Sequence, residues 1–185
     1  MSTITLKNLT MQFGSTTALD NVSLTFEENK IYGLLGRNGA GKSTMLNLIT
    51  NKLFPTYGEV LIDGENVKEN DRALSKVHCM SEKNLFPDGM KVSDVFKWTK
   101  EFYPTFDAEY ANYLAEKFEL NIKKRVKALS TGYASIYKVV AALSSNAPIV
   151  LFDEPVLGLD ANHRDIFYRE LIENYSRAPR TYVIS

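Results

Sequence analysis

The residues whose types and spacing most clearly indicate a chemical function form a glycine-rich stretch, GRNGAGKST, at residues 36–44. Its spacing fits phosphate-binding loops, in which successive backbone N–H groups surround a polyphosphate at the start of a helix. Glycine allows tight turns and close approach to the phosphates, while Lys42 can reach the β and γ oxygens and Ser43 can ligate Mg²⁺. The predicted phosphate-contacting residues are Gly36, Asn38, Gly39, Ala40, Gly41, Lys42, Ser43 and Thr44. A purely structural glycine turn is the alternative, and the apolar run before the loop and the helical pattern after it argue against that alternative.

Two carboxylates, Asp153 and Glu154, directly follow the apolar run Ile149–Phe152. Four consecutive apolar residues predict a buried parallel strand, and carboxylates at its end are costly unless a metal or a partner compensates them. In open α/β sheets ligands bind at this end of the strands. Together with the phosphate loop, the pair predicts a Mg²⁺ site in which Asp153 holds the ion and Glu154 orients or deprotonates the attacking water.

The elements that must position these residues alternate between strand and helix. Apolar alternation and short apolar runs predict strands at 4–13, 22–26, 31–35, 59–64, 77–81, 149–152 and 181–185. Helical spacing predicts helices near 45–49, 92–103, 110–118, 134–143 and 165–175. Two adjacent helices between strand regions indicate an α/β fold with a mixed sheet and an inserted α-helical subdomain.

Composition narrows the function classes. At 185 residues with a formal net charge of zero, the chain suits one domain, and no global field draws it to nucleic acid or to acidic lipid. The single Cys79 cannot form an internal disulfide, which favours a reducing compartment, and we expect it to be a small buried hydrophobe. His78 and His163 have no ligand-spaced partners, so both are expected at packing or surface positions. No apolar window of about 18 residues and no secretion signal is apparent, so no membrane-spanning segment is expected.

In chain order, these motifs resemble the ATP-binding subunits of ABC transporters over essentially the whole length. Residues 33–44 resemble the family's phosphate loop, residues 149–155 its acidic strand end, and residues 158–160 the loop that follows. The sequence LSTGY at 129–133 stands where the family carries its signature motif. The resemblance implies a P-loop NTPase core with an inserted helical subdomain: one domain over 1–185, with the core at 1–82 and 144–185 and the subdomain at about 83–143.

The resemblance also implies ATP and Mg²⁺ as cofactors, with Glu154 and Lys42 as the catalytic residues. Phe13 matches the aromatic residue that stacks on adenine, and Asp160 belongs to the family's nucleotide-binding set. Ser130 and Gly132 would contact the γ-phosphate bound by the other subunit of a head-to-tail dimer, which could be a homodimer or a heterodimer. The implied partner is a separate membrane-spanning subunit, touched by the helical subdomain. That arrangement would place the chain in the cytoplasm at the inner face of the membrane, with no nucleic acid expected.

Three departures from the family pattern bear on activity. Thr131 replaces a signature glycine, and Tyr133 replaces the terminal glutamine. Glu82 stands at the apparent place of a glutamine that senses Mg²⁺ and γ-phosphate, where a carboxylate could itself ligate the metal. The family's switch histidine would follow Ser185. We therefore expect the chain to be a piece of a longer subunit, the alternative being a shortened protein with impaired turnover.

The predicted function is therefore an ATP-binding and ATP-hydrolysing subunit that powers a membrane-embedded transporter. One alternative is a non-catalytic or regulatory nucleotide-binding module, which the altered signature and Glu82 would favour. Another is a soluble ABC-type ATPase that acts on nucleic acid or the ribosome, against which the neutral charge argues.

Overall fold

A computed structural model describes residues 2–81 and 83–185. Their contacts divide the chain into two compact units. The first comprises the residues up to Cys79 together with Pro148–Asp153 and Arg180–Ser185, and the second comprises Met80–Ala147 and Glu154–Pro179. Residues 154–179 thus group with the second unit, whereas the sequence-based division assigned them to the core.

The predicted helices and strands occur in the predicted order, with differences at their ends, and two short elements, the strand Glu65–Asn66 and the helix Asp71–Leu74, were not predicted. The strands are β1 (Ile4–Phe13), β2 (Thr16–Phe26), β3 (Ile31–Gly33), β4 (Tyr57–Ile62), β5 (Glu65–Asn66), β6 (Val77–Met80), β7 (Ile149–Phe152) and β8 (Thr181–Ile184). The α-helices are α1 (Lys42–Ile49), α2 (Asp71–Leu74), α3 (Val92–Phe102), α4 (Ala108–Lys117), α5 (Thr131–Ser144) and α6 (Ala161–Arg177). A 3₁₀ helix, Val126–Ala128, precedes α5. None of the helices in the described ranges is both long enough and apolar enough to cross a bilayer.

The strands form two four-stranded sheets. One has the order β2-β1-β4-β5 with antiparallel pairs, and the other has the order β3-β8-β7-β6. In the second sheet β8 pairs in parallel with β3 on one side and with β7 on the other. The predicted α/β fold is confirmed, with the antiparallel and parallel strands in separate sheets instead of one mixed sheet.

The parallel register aligns the carboxyl ends of three strands. Ile184 of β8 pairs with Gly33 of β3 and with Phe152 of β7. The residues that follow these strands are therefore brought to one edge of the sheet. This edge of the first unit contains the predicted phosphate loop after β3 and Asp153 after β7.

The core of the first unit joins both sheets to α1. Leu46, Leu48 and Ile49 of α1 are buried in one cluster with side chains of β1, β4, β7 and β8. Every residue of β7 is fully buried, as the continuous apolar run predicts. Cys79 is partly buried against this cluster, and burial raises the pKa of its thiol to about 11. It packs as a small hydrophobe, as predicted, but is less fully buried than expected.

The second unit contains a buried carboxylate that links two helices. Glu170 of α6 is fully buried and accepts hydrogen bonds from Tyr110 (3.0 Å) and Tyr113 (3.4 Å) of α4. Lys117 of α4 forms an ion pair with the same carboxylate, and the hydrogen bond to Glu170 raises the pKa of Lys117. Because these α4 residues lie at helical spacing, one face of α4 satisfies the charge of Glu170.

Candidate functional site

The glycine-rich segment forms an exposed loop between β3 and α1. Leu34 N–H donates to the Ile184 carbonyl at 2.7 Å, which extends the pairing with β8 one residue beyond β3. After this bond the backbone leaves the sheet, and α1 begins at Lys42. The structure therefore has the strand, loop and helix order that the spacing predicts.

Lys42 folds back over the loop that precedes it. Its Nζ donates to the Gly36 carbonyl at 2.8 Å and to the Arg37 carbonyl at 3.3 Å. These bonds hold the ammonium group beside the backbone of residues 36 and 37, where it would contact an anion enclosed by the loop. The geometry fits the predicted role of Lys42 as the residue that reaches phosphate oxygens.

Two of the loop glycines are required by the backbone, for different reasons. Gly41 has φ 84°, and a Cβ there would overlap the Ala18 carbonyl oxygen of β2 and lie 3.0 Å from Leu19 Cδ2. Gly39 has φ 83° but faces open space, so only its dihedral angle favours glycine. Gly41 therefore fixes the loop against β2, whereas Gly39 shapes only the loop itself.

Helix α1 has no side-chain cap from the described residues. Its N-cap is Gly41, which has no side chain to accept from the first-turn N–H groups, and the first turn contains no acidic residue. The first N–H groups of an α-helix have no partner inside the helix, and the helix dipole adds positive potential there. The start of α1 is thus able to bind an anion.

Asp153 lies beside the loop and accepts two hydroxyl hydrogen bonds on one oxygen. Ser43 Oγ and Ser185 Oγ each donate to Asp153 Oδ1 at 2.9 Å. The Asp153 side chain belongs to the first unit and is nearly buried, with 8% of the residue exposed. The structure thus brings together Ser43 and Asp153, the two residues of the predicted metal site that it describes in this unit.

This oxygen donor set suits Mg²⁺. Mg²⁺ prefers oxygen ligands and is commonly bound by one or two carboxylates together with substrate phosphates. Among the described residues there is no cluster of three or more His, Cys, Asp or Glu side chains that could hold a metal by themselves. One carboxylate and one hydroxyl beside a phosphate loop therefore fit a metal that arrives with a polyphosphate. Glu82, the third predicted ligand, lies outside the described residues.

Phe13 ends β1 beside the strand that supports the loop. It pairs with Thr16 across the β1–β2 turn, and 48% of its surface is exposed. Ala18, the contact of Gly41, is two residues further along β2, a distance of roughly 7 Å at the rise of a strand. An exposed aromatic ring on this hairpin is compatible with the predicted stacking on a base.

Glu154 starts the turn that follows Asp153 in the chain. Its backbone is left-handed, with φ 49°, and its carbonyl accepts from Leu157 N–H at 3.1 Å. A non-glycine residue pays about 1–2 kcal/mol for this conformation, and such costs are concentrated at functional sites. The side chain is exposed, which is compatible with the predicted role of Glu154 toward water.

The signature segment and the turn after Glu154 pack directly on each other within the second unit. A Cβ at Gly132 would lie 2.6 Å from the Gly158 carbonyl oxygen, so only glycine fits there. Ser135 Oγ donates to the Leu157 carbonyl at 2.9 Å. Sequence reasoning missed Ser135, because a single serine inside a helix gives no signal of a contact with a distant turn.

The other signature residues lie at the start of α5. Ser130 is the N-cap, and its Oγ accepts from Tyr133 N–H at 3.4 Å. Thr131, the first departure from the family, is exposed, and its Cγ2 would lie 3.2 Å from a Cβ at Gly158. The side chains of Ser130 and Thr131 are therefore at the surface of the second unit.

Tyr133, the second departure, belongs to an aromatic cluster around His163. The Tyr133 ring meets the His163 ring edge-on at 6.0 Å, and the His163 ring stacks on Phe118 at 6.1 Å. The predicted packing role of His163 agrees with this arrangement. The histidine is in turn fixed by Asp160, whose Oδ2 lies 3.0 Å from His163 Nδ1.

Asp160 itself caps α6. Its Oδ1 accepts from His163 N–H at 2.8 Å, and this hydrogen bond is the main cause of the lowered pKa of Asp160. Both carboxylate oxygens are thus bonded within the second unit. Its predicted contact with nucleotide stays a prediction.

Comparisons with known proteins identify the family. The sequence model of the family described as ABC transporter matches residues 19–157. The ABC transporter ATP-binding protein YtrB of Bacillus subtilis (strain 168) is 32% identical over 182 residues, which cover 98% of this chain and 62% of YtrB. The ABC transporter ATP-binding protein NatA of the same organism is 32% identical over 176 residues, covering 91% of this chain and 71% of NatA. This chain thus spans less than two thirds of the length of YtrB.

A solved structure described as the ATP binding subunit of an ABC transporter superposes with a TM-score of 0.85. It is 21% identical and covers 98% of this chain and 78% of its own, so it supports the fold alone. The order of the motifs, the fold and the sequence similarity all indicate the same family. The chain belongs to the ABC transporter family.

Proposed function

We propose that this chain binds Mg²⁺-ATP and hydrolyses it to power transport by a separate membrane-spanning partner. The observation that carries the proposal is the uncapped start of α1 beside a loop over which Lys42 folds back, with Ser43 of the same helix bonded to Asp153. This arrangement provides positive potential, backbone donors and metal ligands in one place, which a triphosphate with its metal requires.

The reaction is phosphoryl transfer to water. Lys42 and the loop N–H groups hold the β- and γ-phosphates, and Ser43 and Asp153 would hold the Mg²⁺. When bound, the metal supplies charge neutralisation at the phosphate oxygens. Glu154 takes a proton from the water whose oxygen bonds to the γ-phosphorus, the bond from that phosphorus to the bridging oxygen breaks, and ADP and phosphate leave.

Dimerisation completes the site in this proposal. Ser130 and Gly132 of one subunit meet the γ-phosphate bound by another, and the exposed N-terminus of α5 adds its dipole. The partner can be a second copy or a related ATP-binding subunit.

The membrane partner would dock on the helical region of the second unit. Trp98 and Phe102 lie four residues apart on α3 and are 51% and 67% exposed. Two large apolar side chains on one exposed helix face are typical of an interaction surface. This docking would place the chain at the inner face of the membrane.

Replacement of the proposed base tests the enzyme function. We expect Glu154→Gln to retain ATP binding and to lower turnover by about 100- to 10,000-fold, since general-base catalysis contributes this much. Glu173→Gln, a change of a carboxylate on α6 that pairs with Arg177, serves as the control. Turnover in Glu154→Gln equal to that of the wild type would remove Glu154 from the mechanism, and ATP binding without turnover in the wild type would favour the non-catalytic module.

A second experiment tests the partner. We expect Trp98→Ser with Phe102→Ser to reduce recovery of the chain with membranes of its native cells while ATP affinity is retained. The control is Tyr168→Ser on α6, which removes a comparably exposed aromatic side chain. Equal membrane recovery of both variants would exclude the α3 face as the docking surface.

A further inference from the structure

Ser185 follows β8 at the edge of the sheet where the phosphate loop and Asp153 lie. Its N–H donates to the Phe152 carbonyl at 2.9 Å, and the preceding Ile184 carbonyl accepts from Leu34 N–H at 2.7 Å. The backbone at this point is therefore held by both neighbouring strands. These bonds use no side-chain atom of Ser185.

The Ser185 hydroxyl makes a separate contact. It donates to Asp153 Oδ1 at 2.9 Å, and this is the same oxygen that accepts from Ser43 Oγ. Asp153 is nearly buried, so its carboxylate depends on protein donors more than on water for its orientation. Because Ser185 lies after β8 and Ser43 lies in the first turn of α1, the carboxylate is fixed from two elements of the first unit.

We propose that Ser185 is a positioning residue for the metal function of Asp153. Its hydroxyl holds the carboxylate in a fixed orientation when the Ser43 oxygen turns to a metal. Donors that orient a ligating carboxylate change metal affinity without touching the metal. The inference rests on the proposed function, since it needs Asp153 to serve Mg²⁺.

The test measures the Mg²⁺ requirement of nucleotide binding. A fluorescent ATP analogue is titrated into the protein with excess EDTA and then at increasing Mg²⁺, which gives the nucleotide affinity without metal and the half-maximal Mg²⁺ concentration. We expect Ser185→Ala to raise the half-maximal Mg²⁺ concentration by roughly 10-fold and to change the affinity in EDTA less than twofold.

Two further variants separate the hydroxyl from the shape of the side chain. Ser185→Thr keeps the hydroxyl and should retain the wild-type Mg²⁺ requirement, whereas Ser185→Val has a similar shape without it and should behave as Ser185→Ala. The control Ser75→Ala removes a hydroxyl that bonds the Arg72 carbonyl at the end of α2. Melting temperatures of all variants report whether each one is folded.

The Mg²⁺ titrations distinguish a failure of the role of Ser185 from a failure of the proposed Mg²⁺-ATP site. Mg²⁺-dependent binding in the wild type with an unchanged requirement in Ser185→Ala and Ser185→Val would overturn the role of Ser185 alone. Equal losses of affinity with and without Mg²⁺ would also overturn it, because a merely structural role predicts that result. A wild type that binds nucleotide without regard to Mg²⁺, or not at all, would contradict the proposed metal site and the inference together.

Discussion

Helix α1 begins at a glycine and helix α6 at an aspartate, and their N-termini differ in what satisfies the first backbone N–H groups. At α1, Gly41 offers no side-chain acceptor. At α6, Asp160 accepts from His163 N–H and lies 3.0 Å from His163 Nδ1. Both helices follow a strand of the parallel sheet in the chain, so the difference comes from the connecting residues.

The comparison explains why one helix start suits phosphate and the other does not. A carboxylate cap neutralises the positive end of a helix and occupies its free donors. Asp160 is such a cap at α6 and Asp107 is another at α4, whereas the neutral side chain of Asn70 caps α2. At α1 the cap is absent among the described side chains and a lysine follows directly, so an external anion can take its place.

The largest effect is expected from Gly41→Ala. The new Cβ would overlap the Ala18 carbonyl oxygen in a backbone with φ 84°, so the loop must leave β2. Steric overlap and left-handed strain together cost about 2–5 kcal/mol. Chemical denaturation should detect this loss, and ATP affinity should fall with it.

Gly39→Ala is the matched control, because its φ is 83° but no atom lies within 4 Å of the new Cβ. Only the strain of about 1–2 kcal/mol is expected there. Equal effects of the two variants would contradict the support of the loop by β2.

A slightly smaller effect is expected from Lys42→Ala. Loss of a charged hydrogen bond costs about 1.5–3 kcal/mol, which raises the dissociation constant for ATP roughly 10- to 150-fold. Calorimetric titration measures it, with Lys68→Ala as the control for the loss of one exposed lysine. If both variants bound ATP equally well, Lys42 would not be a phosphate ligand.

Gly132→Ala should lower the free energy of unfolding through a steric overlap in the second unit. Its Cβ would lie 2.6 Å from the Gly158 carbonyl oxygen, and overpacking of this kind costs about 1–3 kcal/mol. Urea unfolding gives the value. Gly89→Ala, where the Cβ meets open space, should differ little from the wild type, and a loss as large as that of Gly132→Ala would argue against the close approach.

The smallest effect on stability is expected from replacing Asp160, the cap of α6, and this effect depends on pH. The Asp160 pKa is lowered in the folded chain, so its stabilising effect is present above the unfolded value of about 3.9 and is lost as the pH falls through the folded value. Asp160→Ala should therefore lower the melting temperature at neutral pH, and the difference from the wild type should vanish in acid. Asp160→Asn keeps an N-cap acceptor and should lie between the two. A difference that persists at low pH would show that the carboxylate charge is not responsible.

The sequence predicts these features well where the information is local. The spacing of residues 36–44 predicts the loop and the start of a helix, and the apolar run before Asp153 predicts the buried β7. At α6 the prediction began at Asp165, whereas the helix begins at Ala161, because the Asp160 cap starts it one turn earlier.

Contacts between residues that are far apart in the chain could not be predicted from the sequence. The buried face of α6 contains Glu170 and Asn174, which a pattern of apolar residues cannot indicate, since the charge of Glu170 is satisfied by side chains of α4. The insertion of β8 between β3 and β7 brings Ser185 to Asp153, and no spacing rule indicates that contact. The overlap that forces glycine at residue 41 likewise depends on the position of β2.

The most direct test of the central claim is calorimetric titration of the chain with ATP, ADP and AMP in the presence of Mg²⁺. If the uncapped start of α1 and Lys42 bind the β- and γ-phosphates, ATP and ADP will bind and AMP, which lacks both, will bind at least about 100-fold more weakly. Equal affinity for AMP and ATP, or no binding of any of the three, would contradict the assignment of this loop as the phosphate site.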